Sequence, residues 1–366
     1  MARPQKNGMR VLFISGSFPP MKCGVGDYTA TLVRTIGRRG DTSVAILTSI
    51  HGLPISDPSV EIFPIIRNWK LSEIPVASKL IHRLKPDIVH MQFPTLVYGE
   101  IQWFLPAIAR MINGPVVQTW HEYHPSGSWL NLLNALLPGG LIVVRPNYKE
   151  SMPAWYRWMI RGKEFRYIPN ASSIPPLVLT EDEKLELRSK FHLSSRKMIV
   201  YFGFASPAKG IERIFDIADS AYHHIVLVCD LNPAENYHRK ILDLAHSNPW
   251  SGHVSITGYM APQDSAALLA TADAAIFPFL EGGGEWNSSI HAATAQGTFT
   301  LTTSRSRKGY DGSVNIYFAE PGNIEEMRNA LNQYLGSRTP PKTTDTDWDL
   351  IANEHMALYN KLIYSS

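Results

Sequence analysis

Cysteine is nearly absent from this chain: 366 residues contain two, Cys23 and Cys229. They stand far apart in no metal-type spacing, so neither a disulfide scaffold nor a cysteine-ligated metal is expected, and a reducing cytoplasm fits. No run of about 18 apolar residues occurs, which excludes a bilayer-spanning helix. The longest candidate, 129–144, is broken by Asn131, Asn134 and Pro138-Gly139-Gly140, and reads as a helix, a turn and a buried strand. The basic start, Met1 to Arg10, precedes only a strand-length apolar segment, so a secretory leader is not expected. A net charge of +3 is too small to imply a nucleic-acid partner. Repeats and low-complexity tracts are lacking as well.

The chain does have 44% apolar residues, with charges of both signs spread along it, which describes a folded globular protein. Its length exceeds what one core usually sustains, so two domains are expected. Short, continuous apolar runs occur at Val11–Ser15, Ser43–Leu47, Asp87–Met91, Val116–Thr119, Leu141–Val144 and Phe165–Ile168. Continuous rather than alternating runs read as parallel strands covered on both faces. Helical patterns lie between them at 28–38, 75–84, 101–112, 129–137 and 148–160. After the polar stretch 170–188 a second series follows, with strands at 198–202, 225–229, 254–256, 274–277, 298–302 and 314–318. Its helices are expected at 211–220, 234–245, 265–270, 289–295 and 324–335. Pro340-Pro341 interrupts the pattern before a last helix at 347–363. The expected class is α/β: two doubly wound, Rossmann-like domains facing across a cleft. Their bounds are 1–172, with the final helix from about 346 to 366 packing back, and 173–340.

Ligands of open α/β sheets bind at the carboxyl ends of strands, so loops after strands are the candidates. The first, 16–29, carries Gly24 and Gly26, which let backbone approach a ligand, with Asp27 or Thr29 as a helix cap. It is too long for a dinucleotide fingerprint, and Thr29 stands where the third glycine belongs. The second, Trp120-His121-Glu122-Tyr123-His124, places His121 beside a strand end, where an imidazole can meet a hydroxyl. Its two histidines are wrongly spaced for a zinc site. The third, 203–210, sets Lys209 at a helix start, where a cation opposes the helix dipole unless an anion is bound. The fourth is the most informative: Ala274–Phe279 ends in Leu280-Glu281-Gly282-Gly283-Gly284-Glu285-Trp286-Asn287-Ser288-Ser289, and a helical pattern restarts through Ile290. Strand, glycine loop and helix aim backbone amides at an anionic ligand, and the polar side chains suit one that also bears hydroxyls. A further strand-to-glycine junction, Gly258-Tyr259-Met260, offers backbone to a nucleobase.

Taken in order, these segments resemble a family 4 glycosyltransferase of the GT-B fold. The resemblance rests on 11–15 with Phe18-Pro19-Pro20 and Gly24-Val25-Gly26-Asp27-Tyr28, then Lys85 to His90, Thr119 to Glu122 and Ile168-Pro169-Asn170. It continues through Phe202-Gly203-Phe204 with Lys209-Gly210, Gly258-Tyr259, and 272–297, covering almost the whole chain. It implies a retaining, metal-independent transfer of sugar from a nucleotide diphosphate to a hydroxyl, in polysaccharide or glycoconjugate assembly, with no cofactor. It further implies catalytic roles for Lys209, His121 and Glu281. Donor binding falls to Gly24, Gly26, Gly203, Ser206, Gly258, Tyr259, Met260, Gly282, Gly283, Glu285, Trp286, Asn287, Ser288 and Ser289. Asp27, Tyr28, Glu122 and Arg145 take the acceptor side. The partners implied are a UDP- or GDP-linked sugar and a saccharide or lipid-linked acceptor. Two positions depart from the pattern: Ala292 stands where the ribose-binding glutamate belongs, with His291 and Asn287 nearby, and Phe204 replaces a phosphate-binding arginine.

Other clusters have plainer readings. Asp345-Thr346-Asp347-Trp348-Asp349 reads as the capped start of the last helix rather than a metal motif. Glu181-Asp182-Glu183 and Arg305-Ser306-Arg307-Lys308 read as solvated surface. Trp155 to Lys163 mixes aromatic and basic residues, and with Trp103 and Arg110 suits either an anionic bilayer or a helix packed on its own sheet. Localisation is therefore expected to be cytoplasmic, with contact at the inner membrane face as one option. A GT-B protein of other chemistry, epimerase-like, and a non-catalytic sugar-nucleotide binder are the alternatives.

Overall fold

The continuous apolar runs fold into parallel strands because β-branched and aliphatic side chains cover both faces of a sheet. The computed structural model describes residues 8–53, 57–93, 109–110, 114–121, 139–191, 193, 195–284, 286–342 and 345–364, the backbone alone for 345–346. The expected helices at 101–112 (but for 109–110) and 129–137 lie outside them, as do Glu122, Glu285 and Trp103. Two units divide the chain, Met1–Asn170 with Asp345–Ser366, and Ala171–Thr344.

The first unit holds β1 (Met9–Ile14), β2 (Thr42–Ser49), β3 (Val60–Ile66), β4 (Ile88–Phe93), β5 (Val116–Trp120), β6 (Gly140–Val143) and β7 (Glu164–Tyr167). Their spatial order is β3-β2-β1-β4-β5-β6-β7, every neighbour parallel. Helix Gly24–Gly37 follows β1 and turns Ala30, Leu32, Val33 and Ile36 inward. The last helix, Asp345–Tyr364, belongs to this unit: Trp348 meets Tyr28 at 5.2 Å between ring centres. Deeper, the Tyr359 hydroxyl bonds His90 Nδ1, and His90 Nε2 lies 2.8 Å from Thr119 Oγ1. His355 stacks on His90 at 5.5 Å. Burial lowers the pKa of both rings, His355 to about 4, so the cluster is neutral at pH 7.

The second unit holds β8 (Lys197–Phe202), β9 (His223–Val228), β10 (Val254–Ile256), β11 (Ala274–Phe277), β12 (Thr300–Thr303), β13 (Gly309–Asp311) and β14 (Ile316–Ala319). The order is β10-β9-β8-β11-β12-β14-β13, parallel except for β13 against β14. Ile199, Val200, Ile225, Leu227, Ile276 and Leu301 are fully buried in its core.

Several elements differ from the sequence reading. The polar stretch at 181–189 is a helix, closed by a capping box in which Thr180 accepts from Glu183 N and the Glu183 carboxylate accepts from Thr180 N. Glu181-Asp182-Glu183 is its first turn. The span 148–160 is two short helices, Tyr148–Ser151 and Ala154–Met159, because Pro153 lacks an N–H and pushes Met152 to extended backbone. Likewise 211–220 is a 3-10 turn, Ile211–Arg213, followed by one α turn, Ile214–Ile217. The Arg305–Lys308 run is exposed but paired: Arg307 with Asp311 at 2.9 Å and Lys308 with Glu320 at 2.8 Å.

Candidate functional site

At the carboxyl ends of β8 and β11, two loops are stitched together. Leu280 N donates to Ala208 O at 3.1 Å. Gly210 adopts φ +64, and a side chain there would run into the Pro278 carbonyl, so only glycine lets the loops close. This closure brings Lys209 over Phe279, with Nζ 4.8 Å from the ring centre. An ammonium on an aromatic face is held there by the ring quadrupole. One expectation is corrected: Lys209 is the last residue of the 3-10 turn Pro207–Lys209, not the first of a helix. Its position is set by the neighbouring loop, since the turn Ser206–Lys209 (Lys209 N to Ser206 O, 2.9 Å) ends at Gly210.

The glycine loop is pinned to β12. Thr302 and Thr303 hydroxyls donate to the carbonyls of Phe277 and Phe279 at 3.0 and 2.6 Å, and Gly283 N donates to Thr303 O at 2.7 Å. Gly282 is in the left-handed region at φ +88. A Cβ on Gly283 would overlap the Phe279 ring, and one on Gly284 would overlap Trp286, so an aromatic ring covers each glycine. Asn287 precedes the helix Ser288–Ala295 but does not cap it; its Oδ1 turns back to accept from Gly284 N at 3.0 Å. The first-turn amides and hydroxyls of Ser288 and Ser289 consequently meet no protein acceptor or donor among the described residues. Ser289 stands beside Gly203, whose backbone φ of +143 ends β8. Lys209, Gly203, Gly282 to Gly284 and the start of this helix therefore gather on one edge of the second unit. A cation, uncapped amides and small residues in that arrangement have the chemistry to bind an anion.

Glu281 is exposed and pairs with Arg305, 2.6 Å from Oε2 to Nη2. Glu285 lies outside the described residues. At the neighbouring strand end, Gly258 has φ +72, and Tyr259 N donates to Asp230 Oδ1 at 3.0 Å. Asp230 was missed in the sequence, although its place just after a predicted strand marks it. Half of the Tyr259 surface is exposed, while Met260 packs on the core.

In the first unit, Gly24 opens the helix after β1 and Gly26 is buried against the Ser17 carbonyl. The helix starts four residues earlier than its apolar pattern, so neither Asp27 nor Thr29 caps it; the Thr29 hydroxyl donates to Val25 O at 2.6 Å. Burial raises the Asp27 carboxyl to about 6. His121 follows β5, and its Nε2 lies 2.8 Å from Gln92 Oε1. Because that oxygen only accepts, Nε2 carries the proton and Nδ1 the lone pair. The ring meets Tyr28 edge-on at 4.8 Å, and burial, then His355, push its pKa down to about 3. The Tyr28 hydroxyl and Gln92 Nε2 are buried without a partner among the described residues. Arg145 stands two residues past β6, and Glu122 lies outside the described residues.

No family model and no curated protein matches the chain. Solved structures do. A glycosyltransferase from Rickettsia africae ESF-5 matches with a TM-score of 0.75 at 14% identity, over 99% of this chain and 100% of that one. Sucrose-phosphate synthase from Thermosynechococcus elongatus gives 0.71 at 15%, over 98% and 100%. HepE from Anabaena, in complex with UDP-glucose, gives 0.65 at 18%, over 98% of each chain. Likeness of this extent at such low identity is likeness of fold: the chain has the GT-B fold, two Rossmann-like α/β units in one polypeptide.

Proposed function

We propose that this chain is a retaining, metal-independent glycosyltransferase of the family 4 type that takes sugar from a nucleotide diphosphate. The observation that carries the reading is the joined pair of loops: Lys209 held over the Phe279 ring that Gly283 makes room for, and Gly203 at the end of β8 next to Ser289, in the first turn of a helix whose Ser288 and Ser289 amides are uncapped. In the reaction, the bond between the anomeric carbon and a diphosphate oxygen breaks. A bond from that carbon to the acceptor oxygen forms on the same face, and the acceptor proton leaves with the nucleoside diphosphate. Negative charge develops on the departing phosphate, so a fixed ammonium and preset amides stabilise it without reorganising. Lys209 takes this role, with Gly203, Ser206, Gly282, Gly283, Trp286, Asn287, Ser288 and Ser289 around the diphosphate and sugar. Gly258, Tyr259 and Met260 meet the base, whose place beside them is bounded by Asp230. Glu281, held by Arg305, accepts from a sugar hydroxyl.

His121, neutral and with Nδ1 as an acceptor, binds a hydroxyl of sugar or acceptor; Asp27, Tyr28 and Arg145 serve the acceptor, and Gly24 and Gly26 approach the diphosphate. The acceptor is a saccharide or lipid-linked saccharide in polysaccharide assembly. The neighbour solved with UDP-glucose supports a uridine donor. A thermal-shift screen with UDP-, GDP-, TDP- and ADP-sugars tests this: one donor at 100 times its Kd adds about 2.7 kcal/mol of stability. A rise of a few degrees with one nucleotide class supports the reading; no rise with any of the four contradicts it.

A further inference from the structure

We propose that the helix Ala154–Met159, with edge strand β7, docks the first unit on an anionic lipid bilayer. This goes beyond sugar transfer and stands or falls separately from it. The short helix has two faces. Tyr156 and Ile160, with Met152 before them, are buried against Trp120, Leu141 and Tyr148, so the core is satisfied by one side alone. Trp155 and Trp158, three apart on the other side, are 53% and 72% exposed, and Tyr167 of β7 is 39% exposed. Single exposed apolar residues are ordinary on any protein; paired indoles on one solvent-facing turn are not.

Charge selects the occupant. Between 149 and 167 the chain has five cations and two carboxylates, a net +3 that equals the net charge of all 366 residues. One of the carboxylates, Glu164, is neutralised by Lys361 at 2.8 Å. Arg157 and Arg161 are exposed one turn apart beside the indoles, Lys149 lies over the Phe165 ring at 5.5 Å, and burial, then the charge of Arg110, lowers the pKa of Lys163. Indoles settle at the headgroup boundary, while arginine stems bury methylenes and keep their guanidinium groups among lipid phosphates. A saccharide platform would instead hold an aromatic ring flat with one face covered, and an indole 72% exposed has no such support. No helix of the described residues is long and apolar enough to cross a membrane, so the contact proposed is peripheral.

The test is flotation of the full chain with vesicles of phosphatidylcholine alone and with about 30% phosphatidylglycerol, at low and high salt. The expected result is binding to the anionic vesicles only, weakened by salt. The double change Arg157→Gln/Arg161→Gln should weaken it roughly thirtyfold, since each surface cation contributes about fivefold. Trp155→Ser/Trp158→Ser should weaken it at least tenfold with an unchanged melting temperature, and donor-induced thermal shifts should be the same in both variants. Equal binding by wild type and variants, or none to anionic vesicles at low salt, overturns the proposal. So does retention of an acidic polysaccharide or nucleic acid that depends on these four residues while vesicle binding does not.

Discussion

The Lys209 ammonium lies 4.8 Å from the centre of the Phe279 ring, and the opposite requirement falls on Gly283, where any side chain would strike that ring. Three residues from two loops thus form a stack in which the aromatic ring fixes the cation and the glycine makes space for the ring. Phe279 is itself buried and lies nearly parallel to Phe277, 6.1 Å away, which ties the stack to the core of the second unit.

Gly283→Ala should displace the Phe279 ring and with it the lysine. Overpacking of this kind costs about 1–3 kcal/mol, and activity should fall more than stability does. Steady-state kinetics alongside a urea melt measure both; a variant with full activity would remove Phe279 as the positioning group.

Phe279→Leu keeps a large apolar side chain but removes the ring and its quadrupole, and Phe279→Tyr keeps both. A cation–π contact contributes about 0.5–2 kcal/mol, so Leu should lower kcat/KM by roughly 2- to 30-fold while Tyr stays near wild type. Equal kinetics for the two substitutions would show that packing alone matters.

Asp230→Ala removes the acceptor that Tyr259 N uses. With the Gly258–Met260 backbone loosened, KM for the donor should rise by about tenfold with kcat little changed, a loss of about 1.4 kcal/mol, the size of one net hydrogen bond. Measured kcat and KM for donor decide it; a fall confined to kcat would move Asp230 into the chemistry.

Stability should drop as pH falls below 6.5. His121 and His355 titrate near 3 and 4 in the fold and near 6.5 when unfolded, so below 6.5 the unfolded chain binds the extra protons. Each contributes on the order of 1 kcal/mol of lost stability per pH unit across that window. Asp27 acts with the opposite sign, since its raised carboxyl takes up a proton first in the folded state between about 6 and 3.8. Melting of wild type and His355→Gln from pH 7 to 4.5 tests this: the variant should lose less with acidification. Parallel curves would contradict it.

The sheets were legible because their strands are buried on both faces, which leaves an unmistakable apolar run. β3 escaped because Glu61 and Pro64 interrupt it; proline is tolerated since β3 is the edge of its sheet and needs no second set of donors. β13 escaped because Gly309-Tyr310-Asp311 pairs through backbone on one side only. The helix at 181–189 buries nothing, so no periodicity announced it, whereas Thr180 and Glu183 at capping-box spacing would have. At the site, the loops could be read from strand ends and glycines. Their closure could not, because it depends on Gly210 meeting Pro278, residues 68 positions apart whose proximity no local pattern encodes.

The most direct measurement is nucleotide release from the preferred donor by wild type and Lys209→Ala. Loss of a cation from a developing phosphate charge should lower kcat/KM by at least about 30-fold, more than about 2 kcal/mol, with the melting temperature unchanged. Release at a near-normal rate by the alanine variant would contradict the role given to Lys209, and with it the phosphate site built around it.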